Sequence, residues 1–375
     1  MNTTLTSDFG PAEVPLGKVE SELAHRLKQI QGPGEMPVHR ARMSNLIVYC
    51  DDPAKAAQIE DCLPKVVCAH PARVLLLIAD RGAESSEIQS SVEVRQAGQG
   101  AQLCSEQITL HAGSHASEHL PFAVRGLLIG DLPTNVWWAA STPPPLAGPI
   151  LDNLAENAQQ VVFDSLGWAE PHRGVAAMST WLTRFERDGS DGRWRVASDL
   201  NWRRLKYWRR LLAQALSPAV NPQAIENITE IQIEHGPHAV TLAWQIAGWM
   251  ASRLGWRIKA AKIKQGIEIS FQIAAAYGSL KLRIDRLEDG PSTIRRIRVV
   301  SQVDGKSSAL NFEAVDPVRL SVQTEGSDAA PRTITVQPME IPEMVGRQLS
   351  DREPDSVFRE AMAAAHLLAN AVIHR

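Results

Sequence analysis

The chain has 375 residues, 44% of them hydrophobic and 22% charged, with a net charge of −3 at pH 7. That length allows two domains and is generous for a single core. The near-neutral balance argues against a protein built to coat nucleic acid or an anionic membrane surface, and ten tryptophans against three tyrosines is the one compositional oddity.

Residues 1–43 read as a flexible N-terminal segment with one short helical stretch, "GKVESELAHRLKQI". No apolar run opens the chain, so no secretory signal is read and a cytoplasmic location is expected. Reduced thiols follow from that location, and Cys50, Cys62, Cys68 and Cys104 form no CxxC pair. "SNLIVYC" predicts a strand, and "DPAKAAQIEDCL" a short helix with Pro53 near its start. "RVLLLIAD" has the continuous apolar run of a strand buried on both faces. "SSVEVRQAG" and "AQLCSEQITLHA" alternate as further strands. A helix over "HLPFAVRGLLIG", stopped by Gly130, leads to the strand "TNVWWAAS", the helix "GPILDNLAENA" and the strand "QQVVFDS". This alternation predicts an α/β domain over 44–168, with a mainly parallel sheet and flanking helices. Trp137 and Trp138 point to opposite faces of their strand. At least one is therefore expected in the core, and the other is a candidate for the sheet rim just before the Pro143–Pro145 run.

Beyond residue 168 the pattern predicts an α+β C-terminal domain over 169–375. Its helices are "GVAAMSTWLTRFE" and "DLNWRRLKYWRRLLAQAL", followed by the strand "ITEIQIEH". "AVTLAWQIAGWMASRLGW" reads as a buried helix, because Gln245, Ser252 and Arg253 make it too polar to span a bilayer. After Gly255 come "IKQGIEISFQIAAA", "SLKLRIDRL", "TIRRIRVVSQV", "SALNFEAV", "VRLSVQT" and "RTITVQ", short strands of an antiparallel meander. "SVFREAMAAAHLLANAVI" closes the chain as a helix.

Motifs for catalysis are missing: there is no GxGxxG, GxxxxGK[ST], GxSxG or HExxH. His111, His115 and His119 are spaced for a helix face, but Gly113 and the serines between them favour a loop over a metal site. "HGPH" at 235–238 reads as a turn. Neither a cofactor nor a metal is expected. The helix over 199–216 says more. Leu205, Trp208, Leu212 and Leu216 form a buried stripe, Ser198 or Asp199 caps the first turn, and Arg203, Lys206 and Arg210 lie on another face with Tyr207 beside them. That face is either a solvated basic surface or a docking surface for an anionic partner. The Arg73 of "HPAR" reads either as an ordinary surface residue or as a contact for a phosphate or carboxylate at the sheet rim.

Taken together, "HPAR", "LLIGDLPTNVWW", "VVFDS", "DLNWRRLKYWRRLLAQ" and "IAGWMASRLGW" resemble the glucose-6-phosphate dehydrogenase assembly proteins, the OpcA family, over about residues 40–260. The resemblance carries Asp131, Leu132, Pro133, Trp137, Trp138, Asp164, Ser165, Asp199, Leu200, Trp202, Arg204, Trp208 and Arg209, and then Gly248, Trp249, Ser252, Arg253, Leu254, Gly255 and Trp256. This chain departs from the family at Thr134 and Asn135, where an apolar residue is usual, and at Arg203 and Tyr207, which make the helix more basic. The resemblance implies a non-catalytic assembly factor and allosteric activator. It would bind glucose-6-phosphate dehydrogenase and favour its active oligomer in the oxidative pentose phosphate pathway; in photosynthetic bacteria the family is also tied to thioredoxin-type control. No membrane or nucleic-acid partner is expected. The partner-binding candidates are Trp137, Trp138, Trp202, Arg203, Arg204, Lys206, Tyr207, Arg209 and Arg210. Two alternatives stay open: a sugar-phosphate-binding protein or enzyme using the rim of the α/β sheet, and a nucleic-acid-associated regulator using the basic helix.

Overall fold

The computed structural model describes residues 5–6, 10–30, 39–40, 42–97, 103–187, 195–264, 266–303 and 305–373. In chain order the main elements begin with α1 (Val19–Ile30), β1 (Ser44–Cys50), α2 (Pro53–Ala69), β2 (Ala72–Asp80), β3 (Ile88–Ala97), β4 (Leu103–Gly113), α3 (Leu120–Arg125), β5 (Thr134–Trp138), α4 (Pro149–Ala155) and β6 (Ala158–Phe163). Then come α5 (Pro171–Arg187), β7 (Val196–Asp199), α6 (Leu200–Arg204), α7 (Lys206–Ala215), β8 (Ile228–His235) and α8 (Val240–Leu254). A strand-rich stretch follows, with β9 (Arg257–Lys264), β10 (Glu268–Ala275), β11 (Gly278–Arg286), β12 (Ile294–Val303), β13 (Lys306–Asp316), β14 (Arg319–Thr324) and β15 (Arg332–Thr335). The last helices are α9 (Ile341–Ser350) and α10 (Ser356–Ile373).

These elements form two compact units, neither continuous in sequence. The first holds 1–164, 185–198 and 339–354; the second holds 165–184, 199–338 and 355–375.

In the first unit the sheet core runs β3-β4-β2-β1-β5-β6-β7. Strands β4, β2, β1, β5 and β6 are mutually parallel, and β3 pairs antiparallel with β4. The parallel strands follow the 3-2-1-4-5 order of a dinucleotide-binding, Rossmann-type half. Every residue of β1 and β5 is buried, as cover on both faces requires. Loops are tied to this sheet by buried side chains. Asn45 accepts from Ile129 N and donates to Ile129 O, both at 3.0 Å, while Asn45 N donates to Pro133 O, which fixes the "GDLP" turn ahead of β5. The helix expected over 120–130 accordingly stops at Arg125, and Gly126, not Gly130, is its cap. Helix α9, absent from the sequence expectations, brings its Gly346 against Ala69 of α2.

In the second unit the sheet order is β9-β10-β11-β8-β12-β13-β14-β15. All described pairings are antiparallel except β8 with β11, which are parallel. The expected meander is therefore interrupted, because β8 inserts between β11 and β12. The stretch read as one strand over 263–276 instead holds the end of β9 and all of β10, which pair antiparallel with each other. Helix α8 is buried nearly all round, as its composition predicts. It ends on Gly255, in the left-handed region at φ 63°. Gly248 lets α8 meet α10 closely: a Cβ there would stand 2.3 Å from Ala361 O.

Candidate partner-binding surface

Asp199 starts the helical region by accepting from Asn201 N at 2.9 Å, so it is Asp199 rather than Ser198 that supplies the cap. The helix breaks once, at Leu205, between α6 and α7. Leu205, Trp208, Leu212 and Leu216 are buried as their spacing requires, and Leu211 joins them. Lys206 and Arg210 face solvent, while Arg203, Arg204 and Tyr207 are half-buried. Arg204 donates to Asn201 Oδ1 at 2.7 Å.

Trp202 is buried, and the half-buried Arg209 packs on it. The Arg209 guanidinium lies 3.3 Å over the Trp202 ring and donates to the Trp202 carbonyl at 2.8 Å. Burial pulls its pKa down to about 10, partly opposed by nearby Asp355. The Trp202 indole N–H donates to Asp355 Oδ2 at 2.7 Å, and its ring tilts against Phe358. The family resemblance placed Arg209 among the partner-binding candidates; the structure sets it against Trp202.

A buried polar network explains the "DS" and "DLNW" motifs. Asp199 Oδ1 accepts from Ser165 N at 3.1 Å, and its Oδ2 accepts from Gln245 Nε2 at 2.5 Å. Asn201 Nδ2 donates to Ser165 Oγ at 2.8 Å and Thr241 Oγ1 at 3.1 Å, and Thr241 Oγ1 donates to Ser165 O at 2.8 Å. Gln245, read in the sequence only as too polar for a membrane helix, is part of this network.

Trp137 and Trp138 lie in the first unit, each only 3% exposed. Trp138 stacks on Tyr49 at 4.5 Å with 9° between the planes, and its N–H donates to Thr142 O at 2.8 Å. Both faces of β5 are thus core, and neither indole stands at a rim. Arg73 does contact carboxylates, but internal ones: it is buried and pairs with Glu106 at 3.1 Å and with Glu20. His111, His115 and His119 fall on a strand, a turn and a short 3-10 helix, and no group of metal-ligating side chains forms among the described residues. Cys50 is buried, Cys62 half-buried and Cys68 exposed.

In a sheet of this order a dinucleotide phosphate would meet the turn after β1 and the N-terminus of the next helix. Here that turn is Cys50-Asp51-Asp52-Pro53, without glycine. Asp52 caps α2 through Ala54 N at 2.9 Å, and Pro53 at the first helical position has no N–H to give. Asp51 accepts from Ser141 N at 3.4 Å. An incoming pyrophosphate would find two carboxylates where backbone donors are needed. An acid does close the second strand, as ribose binding would want, but Asp80 accepts from Gly82 N at 2.9 Å within its own turn. The residues present do not fit a dinucleotide.

Residues 65–180 match the family described as "Glucose-6-phosphate dehydrogenase subunit N-terminal domain", and residues 195–362 match the corresponding "C-terminal domain". Two cyanobacterial relatives carry the name "Putative OxPP cycle protein OpcA". The one from Synechocystis sp. is 27% identical over 208 residues, covering 54% of this chain and 41% of the relative. The one from Nostoc punctiforme is 29% identical over 196 residues, covering 52% of this chain and 40% of the relative. The matched segment thus spans about two-fifths of these relatives' own lengths. Among solved structures, a "putative oxidoreductase" from Parabacteroides merdae superposes with a TM-score of 0.50 at 9% identity, covering 88% of this chain and 97% of that one, a likeness of fold alone. No helix among the described residues is long and apolar enough to cross a membrane. With consecutive family matches over both halves of the chain, the protein belongs to the OpcA family of glucose-6-phosphate dehydrogenase assembly proteins.

Proposed function

We propose that this protein is a non-catalytic partner of glucose-6-phosphate dehydrogenase, acting in the oxidative pentose phosphate pathway by favouring the enzyme's active assembly. The observation that carries the reading is the Asp51–Asp52 turn. A chain of this family keeps the strand order of a dinucleotide-binding sheet, yet sets two carboxylates where the phosphates would sit. Activation then depends on differential binding: the protein must hold the active assembly more tightly than the inactive one, with typical couplings of about 1–3 kcal/mol.

The docking surface in this reading is the solvent side of the α6–α7 region, with Lys206 and Arg210 at its exposed edge and Arg203, Arg204 and Tyr207 beside them. The stack of half-buried Arg209 on buried Trp202 braces that surface. Sedimentation velocity of the full chain with the same organism's enzyme, at micromolar concentrations and in both redox states, tests the association. A complex is expected, together with increased dehydrogenase activity. Charge reversal at Lys206→Glu and Arg210→Glu is expected to slow association and weaken it at low salt, as rim charges do. Absence of any complex in either redox state overturns the proposal; a complex untouched by both reversals moves the contact to another surface.

A further inference from the structure

The "HGPH" turn, inert in the sequence reading, borders a cavity of about 460 Å³ within the second unit. Ile263, Ile267, Ile269, Ile284 and Val372 give it an apolar wall. His172, His235 and His238 also line it, as do Lys264, Glu268 and Arg286. Cavities of this size and mixed lining are the usual form of small-molecule sites.

The turn is built tightly. Gly236 N donates to Thr293 O at 3.0 Å, and a Cβ on Gly236 would stand 2.0 Å from Pro291 O. His238 is the one non-glycine residue among those described with a positive φ, 61°. Backbone of that kind persists where the surroundings over-determine it, commonly beside ligands.

The histidines offer acceptors. His235 Nδ1 lies 2.8 Å from Gly236 O, an atom that can only accept, so Nδ1 carries the proton and Nε2 keeps its lone pair. Burial lowers the pKa of both His235 and His172, keeping the rings neutral at neutral pH. His172 packs edge-on to Trp244 at 5.7 Å, and its Nδ1 is buried without a hydrogen-bond partner. Buried polar atoms of native proteins are rarely left so. Of the charged residues lining the cavity, Lys264 and Arg286 are exposed cations and Glu268 is the one carboxylate, 3.3 Å from Arg283, which also faces Asp285 at 3.2 Å.

We propose that this cavity binds a small organic anion, with its apolar body against the isoleucine wall, its anionic group towards Lys264 and Arg286, and an N–H or O–H donor to the histidine nitrogens.

The probe 1-anilinonaphthalene-8-sulfonate has all three features. Titrated into the full chain at neutral pH, it is expected to give a saturable, one-to-one fluorescence increase. Ile267→Trp, at a wall position 54% exposed, fills the cavity from its open side and should weaken binding about tenfold or more. His172→Phe is expected to weaken binding to a similar degree. Arg286→Gln should weaken the sulfonate probe while leaving its uncharged analogue N-phenyl-1-naphthylamine unaffected. Near-ultraviolet circular dichroism checks that each variant is folded, and if His172→Phe is not, the two exposed-site variants decide. The proposal is overturned by absence of saturable one-to-one binding, by unchanged affinity in Ile267→Trp, or by equal loss of the charged and uncharged probes in Arg286→Gln.

Discussion

The two sheets bury their residues by different rules. In the first unit, β1 and β5 are buried at every position. In the second, β8 and β10 alternate, with Phe271 and Ile273 inside and Gln272 between them exposed. Parallel strands joined by crossovers are covered on both sides, so successive side chains are all core. Antiparallel strands here bury one side more than the other, and the period of two survives. Adjacent aromatics therefore mean different things in the two places. In β5, Trp137 and Trp138 are both consumed by packing; surface for ligands or partners has to come from elsewhere, and the second unit supplies candidates for both.

The largest expected effects test this contrast directly. Trp137→Ala and Trp138→Ala should each cost about 3–5 kcal/mol in urea unfolding. In β10, Phe271→Ala should cost about the same while Gln272→Ala stays within about 0.5 kcal/mol. If only one of the two tryptophan variants is destabilised, the first sheet follows the alternating rule after all.

Next in size are the glycines where helices meet. Gly248→Ala drives a methyl into the Ala361 carbonyl, which cannot step aside, and should cost about 1–3 kcal/mol. Gly346→Ala in the first unit meets instead the Ala69 methyl, at 2.8 Å. Its loss of melting temperature should be smaller and should be relieved by adding Ala69→Gly. Failure of that rescue would mean that α2 and α9 are held apart by backbone.

Both units hold histidines whose burial couples stability to acid. His172 and His235 in the second, and His70 in the first, have pKa values lowered chiefly by burial. As pH falls below the ordinary value of 6.5, the unfolded chain takes up protons that these folded rings refuse. Stability contributed by keeping them neutral is thus full above about pH 7 and declines as pH drops towards the lowered folded values. His235→Gln and His70→Gln should each flatten the fall in melting temperature between pH 7.5 and 5.5; a fall unchanged in either variant would mean that the ring takes up its proton as readily in the folded chain as in the unfolded one.

Thiol labelling gives the mildest readout. Peptide mapping should find Cys68 modified first, Cys62 more slowly, and Cys50 only on unfolding, following exposed, half-buried and buried positions. Cys62 and Cys68 both sit on α2. Six residues at 3.6 per turn put them on different sides of the helix, so no peptide joining them is expected after mild oxidation. Labelling of Cys50 as fast as Cys68 would show β1 opening far more readily than a doubly covered strand should.

How much of this was legible in the sequence depended on the range of the force involved. β1, β2 and β5 were readable because an unbroken apolar run needs no knowledge of neighbours. The helix α8 was readable for the same reason. The end of α3 was not, since Leu127, Leu128 and Ile129 look helical and only Asn45, 84 residues earlier, pulls the chain aside. The insertion of β8 beside β11 was hidden because meanders are inferred from pairing between successive strands. At the candidate surface the leucine stripe and the cap at Asp199 were visible as spacing. The stacking of Arg209 on Trp202 was not, because periodicity assigns an arginine to a face without saying whether that face is covered.

Gln160 of β6 donates to the carbonyls of Gln348 and Asp351, reaching across 188 and 191 residues of chain. On a ribosome moving at about 5–20 residues per second, that span takes roughly 10–40 seconds to synthesise. During that time the second unit's strands emerge while the first still lacks α9. The first unit starts earlier but finishes late, and its exposed flank needs shelter in the interval. A stop codon after residue 338 would remove α9 from the first unit and α10 from the second, and its product should be recovered bound to chaperones rather than as a clean N-terminal fragment.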